Sequence, residues 1–207
     1  LLALLPVAAI GTAFFSRTEG IGLFNNVSLP GWTEIVLAWL LLDLGVYWQH
    51  RWMHEVPWLW RLHRVHHSDI EFDTTTGVRF HPVEILLSMF WKMSLVLALG
   101  ANPLAVFALE ITLNAFALFN HANLRLPGDK FLRKLVVTPD MHRVHHSIHP
   151  QETNSNYGSS LPVWDHLFAS YIAQPREGHV QMRIGIARYR ETDRQTFPSL
   201  LTQPFRN

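Results

Sequence analysis

The sequence predicts an all-α integral membrane protein, in which a bundle of about four transmembrane helices carries a histidine-rich cytosolic helical cap. Apolar residues, 48% of the 207-residue chain, gather into four long runs. Each run is close to the ~20 residues that a helix needs to cross a bilayer. Three histidine clusters outside the runs have the i, i+3, i+4 spacing of one helix face. The runs are residues 1–15, 32–48, 83–100 and 104–120.

The first run opens the chain, which begins at Leu1 instead of a methionine. We therefore expect one membrane-embedded domain over residues 1–207 with a truncated N-terminus, so that part of a first membrane segment is missing. A cleaved signal peptide is the alternative interpretation of residues 1–10, but no basic segment precedes them. The turn-rich stretch 16–31 then predicts a short loop at one membrane surface.

The second run ends in Tyr47 and Trp48, an aromatic pair typical of a membrane interface, and the first histidine cluster begins at His50. Only residues 101–103 separate the third and fourth runs, which predicts a helical hairpin that returns the chain to the histidine side. Nearly all Lys and Arg residues lie on that side, whereas the opposite loops carry only Arg17. The positive-inside rule then predicts a cap that faces the cytoplasm, in a bacterial inner membrane or the endoplasmic reticulum.

The charged residues deepest within the runs are Asp43, Lys92 and Glu110. Each costs roughly 2.5 to 3.5 kcal/mol at the centre of a membrane helix, so we expect them to face the bundle interior or lie near the interface. Asp43 precedes His50 by two helical turns on the same face. It either orients groups on the metal side, directly or through a water, or forms a buried hydrogen bond between helices.

The histidine clusters predict a metal centre. Eight imidazoles exceed the four ligands of one tetrahedral zinc, so two metal ions are the simplest count. Imidazole without thiolate suits iron, zinc, copper or nickel, and the chain has no cysteine. The last two of the three clusters share the pattern His-x-x-His-His. The clusters are His50 with His54, His63 with His66 and His67, and His142 with His145 and His146.

This pattern fits hydrolysis poorly. A hydrolytic zinc site needs about three ligands and a carboxylate base, and the sequence has no His-Glu-x-x-His motif. Two redox metals beside a membrane suit instead the activation of dioxygen against a C–H bond of a lipid that arrives from the bilayer. A net charge of +1 indicates no broad nucleic-acid surface. A metal transporter or store is a third interpretation, but a histidine relay should place its ligands at midplane depth.

Six sequence elements between residues 43 and 171 resemble the fatty acid hydroxylase and sterol desaturase superfamily of membrane di-iron enzymes. The elements are DLGVYWQHRWMH, WRLHRVHHS, RFHPVE, NHAN, TPDMHRVHHS and NYGSSLPVWDHLFASY, in this order. The resemblance implies a four-helix transmembrane base, a cytosolic cap and a non-haem centre of two iron ions, with zinc as a possible substituting metal. It also implies oxygen-dependent hydroxylation or desaturation of a lipid.

The resemblance implies that the eight clustered histidines are ligands and that His121 is a ninth. Some members of the superfamily have a further histidine about a turn after His121, where this chain has Arg125, which leaves the number of ligands open. His81 either ligates a metal or hydrogen-bonds another ligand, as ligating imidazoles usually require. Asn123 and Asp165 are candidates for the same supporting role. The remaining histidines are expected to be structural or on the surface; they are His149, His166 and His179.

Lipid hydroxylation is the leading functional hypothesis, and desaturation at the same site is the alternative. Both begin with hydrogen abstraction, and the placement of the substrate decides between them. The sequence has no Gly-x-Gly-x-x-Gly dinucleotide fingerprint and no cysteine for an iron–sulfur cluster. We therefore expect electrons from a separate donor protein, such as cytochrome b5 or a ferredoxin with its reductase. The other expected partners are O2, the lipid substrate and the membrane, without nucleic acid.

Overall fold

The computed structural model describes residues 4–206, which form helices and loops with one isolated antiparallel bridge between Ser147 and Ile184. The all-α prediction is confirmed for this part of the chain, and residues 1–3 of the first apolar run lie outside it. The α-helices are α1 (Leu4–Thr18), α2 (Gly31–Glu55), α3 (Pro57–His67), α4 (Pro82–Leu99), α5 (Pro103–Asn120), α6 (Asp129–Leu132), α7 (Pro139–His145), α8 (Pro150–Thr153), α9 (Val163–Leu167), α10 (Gly178–Gln181) and α11 (Phe197–Thr202). Short 3-10 helices lie at Leu23–Asn25, Thr76–Val78, Ala187–Tyr189, Thr192–Gln195 and Gln203–Phe205.

Helices α1, α2, α4 and α5 pack against one another as the base of the molecule. Their shared core is apolar and rich in small side chains, which allows close approach of the helices. Ala13, Ala38 and Ala105 are fully buried there, beside Leu42 and Leu109. The long apolar runs of the sequence therefore form one helical bundle.

Two glycines join the loop after α1 to the α4–α5 hairpin. Gly100 ends α4 in the left-handed conformation, with φ of 63°, and Gly22 has φ of 97°. A Cβ atom on Gly22 would lie 2.2 Å from the backbone nitrogen of Gly100, so the two backbones touch. The side chain of Asn102 then caps α5 by accepting a hydrogen bond from the amide of Leu104. The hairpin predicted at residues 101–103 is confirmed.

Two of the described helices, α4 and α5, are long and apolar enough to cross a membrane. Only 22% of the apolar window of α4 and 28% of that of α5 is buried inside the protein, whereas the core helix of a soluble protein would be mostly buried. Membrane spanning by α1 and α2 stays a prediction. α1 has 15 described residues, and α2 includes Glu34 and Asp43. The predicted count of about four spans is therefore supported for two helices only.

The charged residues inside the base are buried and paired. Lys92 of α4 donates a hydrogen bond of 2.6 Å to Glu110 of α5. The Asp43 carboxylate accepts hydrogen bonds from Ser160 at 2.5 Å and from the indole of Trp164 at 2.7 Å. The expectation that these residues face the interior is confirmed. For Asp43, the structure shows a buried hydrogen bond to the loop before α9 and to α9 itself.

The cap consists of α3, α7 and the irregular chain that surrounds them. α3 contacts α2, α4 and the C-terminal turn Gln203–Phe205, while α7 contacts α5. Arg64 of α3 donates to the carbonyl oxygens of Gln203 and Arg206, at 2.5 and 2.7 Å. These contacts hold the end of the chain over α3. The histidine-bearing helices are thus fixed between the base and the rest of the cap.

Candidate metal centre

Nine histidines meet where the base joins the cap. Proline occupies the start of both short histidine helices, Pro57 in α3 and Pro139 in α7, and so fixes where each begins. The i, i+3, i+4 spacing then turns each cluster toward one side of its helix. α2 carries His50 and His54, α3 carries His63, His66 and His67, α5 is followed by His121, and α7 with its C-cap carries His142, His145 and His146.

The nine side chains form two groups, and within each group the candidate ligand atoms all lie within 4.8 Å of one another. The groups adjoin, since the rings of His67 and His146, one from each group, stack with centroids 4.4 Å apart. The five-histidine group contains His50, His54, His63, His67 and His145. The four-histidine group contains His66, His121, His142 and His146.

The two His-x-x-His-His motifs are divided between the groups in opposite ways. In α3 the outer pair, His63 and His67, joins the five-histidine group and the middle His66 joins the other. In α7 the first and last histidines join the four-histidine group, and the middle His145 crosses to the five-histidine group. Each motif therefore contributes to both groups and links them rigidly.

In the five-histidine group, protein acceptors hold the outer nitrogen of four rings. The Nδ1 atoms of His50 and His145 donate to the carbonyl oxygens of Tyr157 and Ser155, both at 2.7 Å. His63 Nδ1 donates to the Glu84 carboxylate at 2.6 Å. An Nδ1 that donates to a carbonyl or carboxylate carries the proton, so the Nε2 lone pair remains free for a metal.

His54 completes this pattern, because its Nδ1 donates to Asn154 Oδ1 at 3.2 Å. His67 is the exception, with both ring nitrogens buried and without a partner in the described chain. The Nε2 atoms of His54, His63 and His145 are likewise buried and without a partner. Buried polar atoms are nearly always hydrogen-bonded, so this set of unpartnered nitrogens fits the donor set of a metal ion.

In the four-histidine group the Nε2 atoms converge on one point. His121 Nε2 lies 3.2 Å from His66 Nε2, 3.2 Å from His146 Nε2 and 3.1 Å from His142 Nε2. His121 Nδ1 donates to the Ala117 carbonyl at 2.6 Å, which leaves one lone pair on Nε2. One lone pair cannot accept three hydrogen bonds. A shared cation would instead satisfy all four nitrogens.

The spacing of these nitrogens also fits a metal. Imidazole nitrogens about 2.1 Å from a common ion lie roughly 3.0 Å apart in octahedral and 3.4 Å apart in tetrahedral geometry. The observed separations of 3.1 and 3.2 Å fall between these values. The residues present therefore fit a metal ion in each group. Neutral nitrogen donors without thiolate or carboxylate suit iron, copper, nickel or zinc.

Aromatic packing replaces hydrogen bonding around much of the four-histidine group. The outer Nδ1 atoms of His66, His142 and His146 have no partner among the described residues. Phe80 stacks on the His66 ring at a centroid distance of 4.6 Å, and Phe72 lies 5.2 Å from the ring of His146. Packing against aromatic side chains, more than hydrogen bonding, therefore holds these rings in position.

Burial lowers the pKa of eight of the nine grouped histidines. Loss of hydration lowers the pKa of His50 to about 3 and that of His121 to about 4. For six further histidines burial lowers the pKa well below its usual value, and repulsion between neighbouring imidazoles adds to the effect; they are His54, His66, His67, His142, His145 and His146. Neutral imidazole is the metal-binding form, so at neutral pH these side chains need lose no proton before they bind.

A cavity of about 210 Å³ reaches from both groups into the base. Histidines of both groups line its upper end, among them His50, His63 and His66. The remaining wall is mixed, with apolar side chains such as Phe80 and Leu113 beside polar ones such as Gln49 and Ser88, and Lys92 lies at the bundle end. A chain that entered from the base would therefore meet the inner nitrogens of both groups.

The residues predicted to support the ligands lie close to the site but outside both groups. His81 caps α4, because its Nδ1 accepts a hydrogen bond from the amide of Val83, and its Nε2 donates to the carbonyl of Leu201. Asn123 accepts a hydrogen bond from Arg143. Asp165 accepts from the amides of Tyr157 and Gly158, at 2.8 and 2.9 Å. It thereby fixes the carbonyl loop that holds His50.

Two residues that hydrogen-bond grouped histidines directly were not predicted from the sequence. Glu84 and Asn154 hydrogen-bond His63 and His54, yet they lie 21 and 100 residues away from them in the chain. For Glu84 a signal was present, since a glutamate on a predicted membrane helix next to a histidine element needs a buried partner. For Asn154 no spacing rule applies. His149, His166 and His179 lie outside both groups, as expected.

The chain matches the sequence model of the fatty acid hydroxylase family over residues 35–170. It is 33% identical over 73% of its length to the alkylglycerol monooxygenase of Xenopus tropicalis, and 34% identical over 73% of its length to the ornithine lipid hydroxylase OlsE of Rhizobium tropici. A more distant relative is the Delta(7)-sterol 5(6)-desaturase ERG3B of Gibberella zeae, 25% identical over 73% of this chain.

The matched region corresponds to 34% of the alkylglycerol monooxygenase, 45% of the ornithine lipid hydroxylase and 46% of the sterol desaturase. The chain therefore spans about a third to a half of the length of these relatives. No solved structure matches it. The matched residues 35–170 include all nine grouped histidines.

Proposed function

Because this chain belongs to the fatty acid hydroxylase family, we propose that it is a membrane-bound non-haem di-iron oxygenase that hydroxylates a C–H bond of a lipid. One observation carries the proposal: two adjoining groups of imidazoles line the end of a cavity that extends between candidate membrane helices. The names of the relatives support a lipid substrate and an oxidative reaction.

All nine grouped histidines are proposed as ligands, five for one metal ion and four for the other. Two bound iron ions would supply the activation of O2, and zinc is a possible substitute that lacks redox chemistry. The protein positions the imidazoles through Glu84, Asn154 and the carbonyl oxygens of Ser155 and Tyr157. Such outer hydrogen bonds fix ring orientation and strengthen ligation.

The cavity would place the lipid. Its apolar side chains exclude water from the reacting carbon and hold an alkyl segment, while the Lys92–Glu110 pair closes part of the bundle end. The substrate would enter from the bilayer without crossing water. In the overall reaction one oxygen atom enters the lipid as a hydroxyl group, and the other leaves as water with two electrons and two protons.

The electrons require a partner. Since the sequence contains no dinucleotide fingerprint and no cysteine, we propose a separate donor protein, such as cytochrome b5 or a ferredoxin with its reductase. The excess of Lys and Arg on the histidine side supports a cap that faces the cytoplasm, where such a donor would dock.

Desaturation is a second candidate function, because a sterol desaturase is among the relatives. It would use the same histidine groups and the same initial hydrogen abstraction. The outcomes differ in mass: hydroxylation adds one oxygen atom, whereas desaturation removes two hydrogen atoms.

The test uses the iron-loaded chain in lipid nanodiscs with a reductant, ¹⁸O2 and a total lipid extract. We expect O2 consumption and a lipid product that contains one ¹⁸O atom. A product that has lost two hydrogens without gaining ¹⁸O would favour the desaturase. No O2 consumption with any lipid extract would contradict both functions.

A further inference from the structure

The segment 124–135, which joins α5 to α7 and includes α6, exposes large apolar side chains on the cap. Leu124 is 52% exposed, Phe131 65% and Leu135 58%. None of them contributes to the core of the base. Three such side chains within twelve residues form an apolar patch instead of the scattered exposure that is usual on a soluble surface.

Cations alternate with these apolar side chains. Arg125, Lys130 and Lys134 are exposed, and their side chains form no hydrogen bond or ion pair with any part of the chain that the structure describes. The fourth cation of the segment, Arg133, is buried and pairs with Asp129, the only acidic residue there. The segment therefore presents three uncompensated positive charges around its apolar patch.

The patch continues the outer surface of a candidate membrane helix. Phe107, Ile111 and Leu118 of α5 are about half exposed, and they form part of the apolar outer face of that helix. α5 ends at Asn120, and Leu124 follows four residues later. The segment thus begins at the level where α5 would leave the hydrocarbon.

The segment is also fixed to the histidine helix. Thr138, the N-cap of α7, donates to Asp129 at 2.6 Å, and Arg143 of α7 donates to the carbonyl of Leu124 at 3.2 Å. Arg133 donates to the carbonyl of Ala173 at 2.6 Å. Its exposed side chains are therefore presented on a defined backbone next to the helix that carries His142.

We propose that segment 124–135 lies in the headgroup layer of an anionic leaflet, with Leu124, Phe131 and Leu135 inserted and with Arg125, Lys130 and Lys134 on lipid phosphates. Apolar residues flanked by cations are the composition of interfacial membrane-binding elements. Continuity with the face of α5 favours lipid over an acidic donor protein. The proposal rests on the membrane insertion of α5 and is independent of the oxygenase reaction.

The absence of cysteine from the sequence permits a depth measurement with single labels. Phe131→Cys carries a bimane label, and Val180→Cys, at a cap position that is 73% exposed, is the matched control. Both full chains are placed in vesicles of phosphatidylcholine, alone or mixed with phosphatidylglycerol. We expect a lipid-phase quencher to reach the label at 131 and an aqueous quencher to reach the label at 180, with deeper burial at 131 when phosphatidylglycerol is present.

The charges are tested by the triple variant Arg125→Gln, Lys130→Gln and Lys134→Gln, combined with the label at 131. Each cation near an anionic surface contributes a gain in binding of about fivefold. The variant should therefore lose most of the increase in lipid-phase quenching that phosphatidylglycerol produces. A control triple variant at exposed arginines outside the segment, Arg183→Gln, Arg188→Gln and Arg206→Gln, should leave it unchanged.

Two results would overturn the proposal. One is equal access of the aqueous quencher to the labels at 131 and 180. The other is unchanged quenching in the triple variant. A loss, in the same variant, of O2 consumption driven by a donor protein but not by a chemical reductant would then assign the segment to the electron donor. Because quenching needs no turnover, failure of the oxygenase proposal would not affect this test.

Discussion

In the five-histidine group four imidazoles donate their outer N–H to a protein acceptor, whereas in the four-histidine group only His121 does so. The Nδ1 atoms of the other three rings of the four-histidine group have no partner within residues 4–206, and aromatic side chains pack around these rings. Histidine side chains are thus held in two different ways in the two groups. Hydrogen bonds fix both tautomer and direction, while packing fixes position and leaves the tautomer free.

For the proposed di-metal centre, this difference predicts two unequal metal sites. The five-histidine group is organised before a metal binds, so binding there costs little reordering. The four-histidine group brings its nitrogens together but leaves three tautomers to be selected on binding. We therefore expect the five-histidine group to hold its metal more tightly and the four-histidine group to be the more adjustable partner.

Removal of one ligand from either group gives the largest expected effect. His145→Ala and His142→Ala should each reduce lipid oxidation by more than about a hundredfold, since catalysis needs both ions. Metal analysis should find about one ion per chain in each variant. His179→Ala is the control, because His179 lies outside both groups, and it should lose neither metal nor activity.

These two variants also test whether the two histidine groups differ in metal affinity. After His142→Ala the remaining ion should keep the affinity of the tighter wild-type site, and after His145→Ala that of the weaker one. Equal affinities in the two variants would show that the outer hydrogen bonds do not distinguish the groups.

Glu84→Gln should lower the metal affinity of the five-histidine group about ten- to hundredfold, which is the usual effect of altering a residue that hydrogen-bonds a metal ligand. Glutamine keeps an acceptor for His63 Nδ1 but removes the charge that makes this imidazole a stronger donor. Competition with a fluorescent chelator measures the change. Glu71→Gln, at an exposed glutamate, is the matched control, and an equal loss there would contradict a specific role for Glu84.

Chelation of the wild-type protein should proceed in two phases. The first ion should leave at least about tenfold faster than the second, because three outer nitrogens of the four-histidine group have no partner in the described part of the chain. In His142→Ala only the slow phase should remain. A single phase in the wild-type protein would indicate that the two groups are equivalent.

Phe80→Leu should have the smallest effect, a two- to tenfold loss of affinity mainly at the weaker site, because the Phe80 ring lies 4.6 Å from His66 and 6.4 Å from His63. The stacked pair of Phe80 and His66 contributes about 0.5 to 1.5 kcal/mol, and leucine keeps the bulk without the flat ring. Phe90→Leu, on the exposed face of α4, should change nothing. A loss from the tighter site instead would contradict the assignment of Phe80 to the four-histidine group.

The helical class, the α4–α5 hairpin and the convergence of the histidines could be predicted because they depend on local patterns. The i, i+3, i+4 spacing brings each cluster to one helix face wherever the helix lies. The crossing of α3 and α7 is a tertiary property, so the opposite division of the two motifs between the groups could not be predicted from spacing.

Hydrogen-bond partners that lie far from the histidines in the sequence could not be predicted from these local patterns. Asn154 hydrogen-bonds His54 across 100 residues, and the Ser155 and Tyr157 acceptors are backbone carbonyls, which carry no sequence signal. The sequence leaves the role of His81 open, because imidazole can serve as a ligand or as a helix cap. In the structure, its position before Pro82 makes it the N-cap of α4. His121 was identified through family resemblance, since a single histidine has no spacing to interpret.

The most direct test of the account is the number and surroundings of iron in the purified wild-type chain. Metal analysis combined with iron K-edge absorption should show two ions per chain, with nitrogen neighbours at about 2.1 Å and no sulfur. One ion per chain, or neighbours that are mainly oxygen, would contradict a centre built from two adjoining histidine groups.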